Sequence, residues 1–318
     1  MSARVIHTGQ AIVDFSLRVP AVPAPGADVF ASTHEVCAGG GFNVMAAAAR
    51  DGANVLYVGG HGTGYFGDLV RTAMAAEGIH VLGLPDPEVD TGFSIALVDD
   101  DAERSFISTL GAEGNVTWAQ YRAAEPTGAD VVYVSGYSLL HPRNRHALLE
   151  WLPTLPADTE VVADPSPVVA ELDPATLESL LPHVTVWSTN EPEARVLAER
   201  AGLDTNSPPE SIAAGLRDAW ATTMICRRGA ASTLVAPAGQ SEVIHVPATP
   251  VTAIDTNGAG DAHCGVLCAA LAAQRPLYEA VRRANVAAAI AVTRSGPATS
   301  PSATDIDAAL SADPGPTS

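Results

Sequence analysis

The sequence predicts an α/β fold, a doubly wound and mostly parallel sheet with helices on both faces, carrying a small β lid. Two observations predict it. From Asp130 onward, short apolar runs (131–134, 161–163, 184–188, 223–226) alternate with helical stretches (143–151, 174–181, 191–201, 209–219). Strands this apolar, each separated from the next by a helix, suit a parallel sheet buried on both faces. A third observation adds the lid. The segments 14–37 and 91–109 are β-prone and lie outside that alternation, and the second is split by the turn-like Asp100–Glu103 run as a hairpin would be.

In order along the chain, 5–13 reads as a first strand and 53–59 as a second, joined through a helix over 43–50. Residues 67–77 read as a helix ending at Gly78, and 251–254 as a strand. Two alanine-rich helices, 260–273 and 277–293, follow. One domain is expected over 1–310, with 311–318 as a frayed tail.

The 318 residues carry 17 Lys+Arg against 36 Asp+Glu, a formal net charge of −19. Such acidity argues against a nucleic-acid binder or a polybasic membrane-surface protein. All the basic residues are arginine, which excludes a Walker-A loop, a protein-kinase ATP lysine and a Schiff-base lysine, since each needs an ε-amine. The four cysteines have no metal-ligand spacing, and Cys264 and Cys268 are expected as small buried hydrophobes. His141 and His146, five apart, make a poor metal pair. The opening residues lack the apolar core of a signal peptide and no apolar run reaches membrane-spanning length, so a cytoplasmic protein is expected.

Asp255-Thr-Asn-Gly-Ala-Gly-Asp261 opens a long apolar helix. Small residues allow close backbone approach to a ligand, and the first helical N–H groups point at it. That makes an anion hole without lysine. A carboxylate beside it repels phosphate but suits a base that takes a proton from an attacking hydroxyl. Taken alone, the same segment is also an ordinary glycine-rich helix start with Asp261 complementing the dipole.

This segment resembles the C-terminal signature of the ribokinase-like (PfkB) carbohydrate kinases, and four more stretches match in order. Gly39-Gly40-Gly41-Phe42-Asn43 resembles the first signature, and Asn190-Glu-Pro-Glu193 the NxxE motif. Met224–Gly229 resembles the turn that meets the nucleotide phosphates, and Ala291–Ser300 the monovalent-cation loop.

The resemblance, which spans about residues 4 to 310, implies an ATP-dependent sugar kinase acting on a ribose- or fructose-type hydroxymethyl group, with a nucleoside kinase as the alternative. It implies Asp261 as general base and the amides of Gly258, Ala259 and Gly260 as anion hole. Asp14, Gly39, Gly41 and Asn43 would hold the sugar. Asn190, Glu193, Arg227, Gly229 and Asn285 would serve Mg-ATP, with Glu193 acting on Mg²⁺ through water. Asp255 and Asn257, with the Ala291, Arg294 and Gly296 carbonyls and the Ser300 hydroxyl, would bind K⁺. The exposed edges expected of such a lid invite pairing with a second copy, so a homodimer through the lid is expected.

Asn43 has a plain alternative as a helix N-cap, Asp14 as a turn residue and Glu193 as a first-turn dipole residue. Three positions depart from the family pattern: Arg227 stands for a common threonine, Gly40 for a frequent lysine and His263 for a common aromatic.

A rival from another class is a nicotinamide oxidoreductase. Gly62-Thr-Gly64-Tyr-Phe-Gly67 matches GxGxxG after a strand-like run, and Asp86, Glu88 or Asp90 stands where a ribose-binding acid would. It leaves the Asp255–Asp261 segment without a use.

Overall fold

The computed structural model describes residues 3–101 and 103–312. Among the described residues thirteen strands form: β1 (Arg4–His7), β2 (Ala11–Arg18), β3 (Thr33–Gly40), β4 (Asn54–Tyr57), β5 (His80–Val81), β6 (Phe93–Val98), β7 (Arg104–Ser108), β8 (Val131–Ser135), β9 (Glu160–Asp164), β10 (Val186–Asn190), β11 (Thr223–Arg227), β12 (Thr233–Ala236) and β13 (Ile244–Val246). Nine make one sheet in the order β13-β12-β11-β10-β9-β8-β1-β4-β5, parallel except at the β11-β12-β13 edge.

Successive side chains on a strand point to opposite faces, and the core divides accordingly. Val131 and Tyr133 join the cluster that packs helices α1 (Gly41–Arg50) and α2 (Tyr65–Ala76). Val132 and Val134 join the opposite cluster with Trp151, Leu197 and Leu216. The remaining helices are α3 (Trp118–Arg122), α4 (Gly136–Leu140), α5 (Pro142–Trp151), α6 (Pro174–Leu180), α7 (Glu191–Arg200), α8 (Pro209–Trp220), α9 (Ala259–Ala272), α10 (Leu277–Ala291) and α11 (Ala303–Ala312). The strand order diverges on either side of β1, a switch point where the carboxyl ends of parallel strands open a crevice.

The lid is a four-stranded sheet, β3-β2-β6-β7, in which β2 pairs antiparallel with β3 and parallel with β6, and β6 with β7 as a hairpin. Phe15 packs edge to face on Phe66 and Phe93, whose own rings are tilted at 58°, and the three tie the lid to α2.

Three expectations are corrected. The run 5–13 is two strands in two sheets, because the chain turns at Gly9, whose N–H donates to His7 Nδ1 at 3.2 Å. A Cβ on Gly9 would lie 2.6 Å from the His7 ring, so the turn needs glycine. Residues 251–254 form no strand; the Ile254 amide donates instead to the Val292 carbonyl at the end of α10, at 2.7 Å. Residues 311 and 312 belong to α11 rather than to a tail, and 313–318 lie outside the described residues, as does Ala102 of the lid turn. Among the described residues no helix is long and apolar enough to cross a membrane.

Candidate active site

The site forms where α1 and α9 meet the lid. Gly258 caps α9 in the left-handed region, φ 73°, and a Cβ there would lie 2.0 Å from the Pro297 carbonyl oxygen. Only glycine fits both conditions. The first-turn amides of α9 have no carbonyls one turn back to bond, and Ala259 N reaches Thr256 O only at 3.4 Å. These amides form a donor cradle with Asp261 at its edge.

Asp261 Oδ2 accepts from Asn43 Nδ2 at 3.0 Å, joining α9 to the first turn of α1. Asn43 is therefore not an N-cap: it lies inside α1, and its Oδ1 is buried without a partner, an acceptor open to a ligand hydroxyl. Burial pushes the Asp261 carboxyl up to about 6, against the Asn43 hydrogen bond that holds it down. Helix-start position alone predicts an ordinary ionised aspartate. The structure leaves it mostly ionised at neutral pH but a stronger base.

Asp14 lies on β2 beside Gly39, where a Cβ would fall 1.8 Å from Asp14 Oδ2. Glycine at 39 is what admits the carboxylate. Burial first, then the Asp261 charge, raises Asp14 to about 6 as well. At Gly41 a Cβ would meet the Gln10 carbonyl at 2.3 Å. Asp14, Gly39, Gly41, Asn43 and Asp261 are thus brought together.

Asn190 and Glu193 form a reciprocal capping box on α7. Glu193 N donates to Asn190 Oδ1, and Asn190 N to Glu193 Oε2, each at 2.8 Å. Burial and the neighbouring Asp164 raise Glu193 to about 7. With both oxygens engaged, Glu193 fits a hydrated Mg²⁺ better than direct ligation. Gly229 takes φ 57° in open space just after β11, where the turn itself needs glycine. Asn285 is buried and bonded within the protein: Oδ1 accepts from Thr233, and Nδ2 donates to the Val246 and Pro247 carbonyls. It supports the β12-β13 edge. Arg227 turns inward onto Asp164 and Glu193.

In the candidate K⁺ loop, Ser300 Oγ is buried without a partner, and the donor set is all oxygen, as a hard cation requires. Asp255 Oδ1 meets Arg104 of the lid at 2.6 Å, and Oδ2 accepts from Gly296 N at 3.2 Å. Among the described residues no cluster of three or more His, Cys, Asp or Glu side chains could hold a metal ion.

The GxGxxG segment has a structural use. Asp90 fills the N-terminus of α2, accepting from Phe66 N at 3.0 Å and Gly67 N at 2.9 Å, where a pyrophosphate would otherwise sit. Burial raises the Asp90 carboxyl, but these amide bonds outweigh it and hold the group below its usual range.

Sequence reasoning missed Asp164, whose Oδ2 receives Arg227 and Cys264. Its signal was available: an acid at the carboxyl end of an apolar parallel strand. Arg104 gave no such signal, because its partner is 151 residues away.

A buried carboxylate beside helix-start amides, next to a β lid, is the arrangement expected of a phosphotransferase of the ribokinase-like class. The chain belongs to the pfkB family of carbohydrate kinases, whose pattern matches residues 2–304. It is 30% identical over 295 residues to the uncharacterized sugar kinase YegV of Escherichia coli K12, covering 92% of this chain and 89% of that one. It is 28% identical over 297 residues to the ribokinase of Haemophilus influenzae, covering 91% and 92%. The ribokinase of Arabidopsis thaliana, solved with ribose and ATP, superposes with a TM-score of 0.80 at 20% identity, covering 98% and 99%.

Proposed function

We propose that this sugar kinase transfers the γ-phosphoryl group of Mg-ATP to a hydroxymethyl group of a ribose- or fructose-type sugar. The observation that carries the reading is Asp261, held by Asn43 at the edge of the α9 amide cradle with Asp14 alongside. Asp14, the unpartnered Asn43 Oδ1 and the backbone at Gly39 and Gly41 bind sugar hydroxyls. Asp261 takes the proton of the acceptor hydroxyl as its oxygen attacks the γ-phosphorus and the bond to the ADP oxygen breaks. The amides of Gly258, Ala259 and Gly260 receive the charge on the phosphoryl oxygens.

Asn190 and Glu193 orient hydrated Mg²⁺, which when bound neutralises phosphate charge. Asp255, Asn257, Ser300 and the carbonyls of Ala291, Arg294 and Gly296 would hold K⁺, whose positive charge would favour anion binding at the cradle. The lid covers the sugar and excludes water, which limits hydrolysis of ATP. Exposed Phe106 and Ile107 on β7, at 63% and 59%, suit pairing of two lids in a homodimer. We place the protein in the cytoplasm, where ATP is supplied, as one catalytic domain with the lid inserted.

The test is ADP formation with ATP, Mg²⁺ and K⁺ across pentoses, hexoses, sugar acids, phosphosugars and nucleosides. Turnover with ribose or fructose at low background hydrolysis supports the reading. Turnover confined to nucleosides overturns the acceptor, and silence with every acceptor overturns the reaction.

A further inference from the structure

Arg227 ends β11, and its guanidinium lies where β9 and β10 meet the first turns of α7 and α9. A guanidinium offers five N–H donors and no acceptor. Nε donates to the Thr189 carbonyl at 3.2 Å, and Nη1 to the Gly260 carbonyl at 3.2 Å and to Cys264 Sγ at 2.9 Å. Nη2 donates to Asp164 Oδ2 at 3.1 Å and lies 3.5 Å from Glu193 Oε2. Four hydrogen bonds and one ion-pair contact thus engage its donors on groups of the protein itself, and the side chain is only 12% exposed.

Its partners are anchored in turn. Asp164 Oδ1 accepts from Ser166 N at 2.8 Å, and the Cys264 thiol donates to Asp164 Oδ2 at 3.1 Å. The guanidinium is the cation shared by Asp164 and Glu193, and it lies one residue from Asp261 through its bond to Gly260. Without it, buried carboxylates would face one another at a site that must also accept polyphosphate.

We propose that Arg227 is a positioning residue for phosphoryl transfer rather than a ligand of the phosphates. It fixes the Gly260 carbonyl, and with it the amide cradle of α9, relative to Asp164 and Glu193. Lysine cannot replace it, because a point ammonium with three donors cannot span four elements in one plane. This inference rests on the kinase reading for its catalytic consequence but not for its structural one.

The experiment compares wild type with Arg227→Gln, Arg227→Lys and Arg227→Ala. In the unliganded protein, amide hydrogen exchange over the first two turns of α9, read by peptide mass, should accelerate at least ~10-fold in all three variants, because the Gly260 carbonyl loses its tie to the guanidinium. In turnover, kcat should fall ~10²-fold with the KM for ATP changed less than ~3-fold. Free guanidinium, but not methylammonium, should restore part of the Arg227→Ala activity, which a misfolded variant could not show.

A large rise in the KM for ATP with kcat preserved would make Arg227 a phosphate ligand and overturn the proposal. Unchanged exchange over the first two turns of α9 in all variants would overturn it equally. If wild type turns over no acceptor, the kinase reading fails on its own, and the exchange rates still decide whether Arg227 holds α9.

Discussion

Removing the Asn43 amide should move the pH dependence of the reaction in a known direction. Asn43 Nδ2 donates to Asp261 Oδ2 at 3.0 Å, and this bond holds down a carboxyl that burial has pushed up to about 6. The base must be ionised, so activity is lost as pH falls through its pKa. A hydrogen bond to a charged group contributes about 1.5–3 kcal/mol, and 1.36 kcal/mol corresponds to one pH unit. Asn43→Ala should therefore raise the acid limb of kcat/KM by about 1–2 pH units, from near 6 toward neutrality. Asp14→Asn supplies the opposite sign: it removes a like charge from beside Asp261 and should lower the limb. Both variants lose sugar affinity, so the assay reads the shape of the profile between pH 5 and 9, not its height. An acid limb unmoved by Asn43→Ala would refute the assignment of that limb to Asp261.

Three further outcomes follow from the same geometry. Gly258→Ala forces a Cβ to 2.0 Å from the Pro297 carbonyl at φ 73°, and should cost about 1–3 kcal/mol in urea unfolding and abolish most turnover. Replacing K⁺ with tetramethylammonium should lower kcat, because Ser300 Oγ then stays unpartnered; equal rates would make the Arg294–Ser300 loop purely structural. Asp51→Ala leaves Arg283, 4% exposed, without its main buried partner and should destabilise the fold by about 3–5 kcal/mol, read by chemical denaturation.

The nine-stranded sheet was legible because apolar runs such as Val131–Val134 are buried on both faces, and their hydrophobicity carries the signal without tertiary knowledge. The β12-β13 edge was not: Thr233–Ala236 and Ile244–Val246 are short, and the buried Asn285 that braces them acts from a helix 39 residues further on. The break between β1 and β2 was hidden for a related reason, since one glycine in a β-prone run does not announce a change of sheet. At the site, the glycine-rich helix start at Gly258 and the acid at Asp261 stood out because close backbone approach restricts residue type, whereas Gly39 stood out only through the resemblance to the family's first signature. The partners of Arg227 were not, since β9, β10, α7 and α9 converge only in the folded chain. The GxGxxG segment shows the converse, a local motif whose anion hole is filled by the protein's own Asp90.

The central claim is that Asp261 takes the proton from a sugar hydroxyl. Sugar-dependent ADP formation by wild type and Asp261→Asn, with nucleotide affinity measured separately by calorimetry, tests it most directly. In the variant kcat should fall by ~10²–10⁴ with ATP still bound. Near-normal turnover by Asp261→Asn would contradict it.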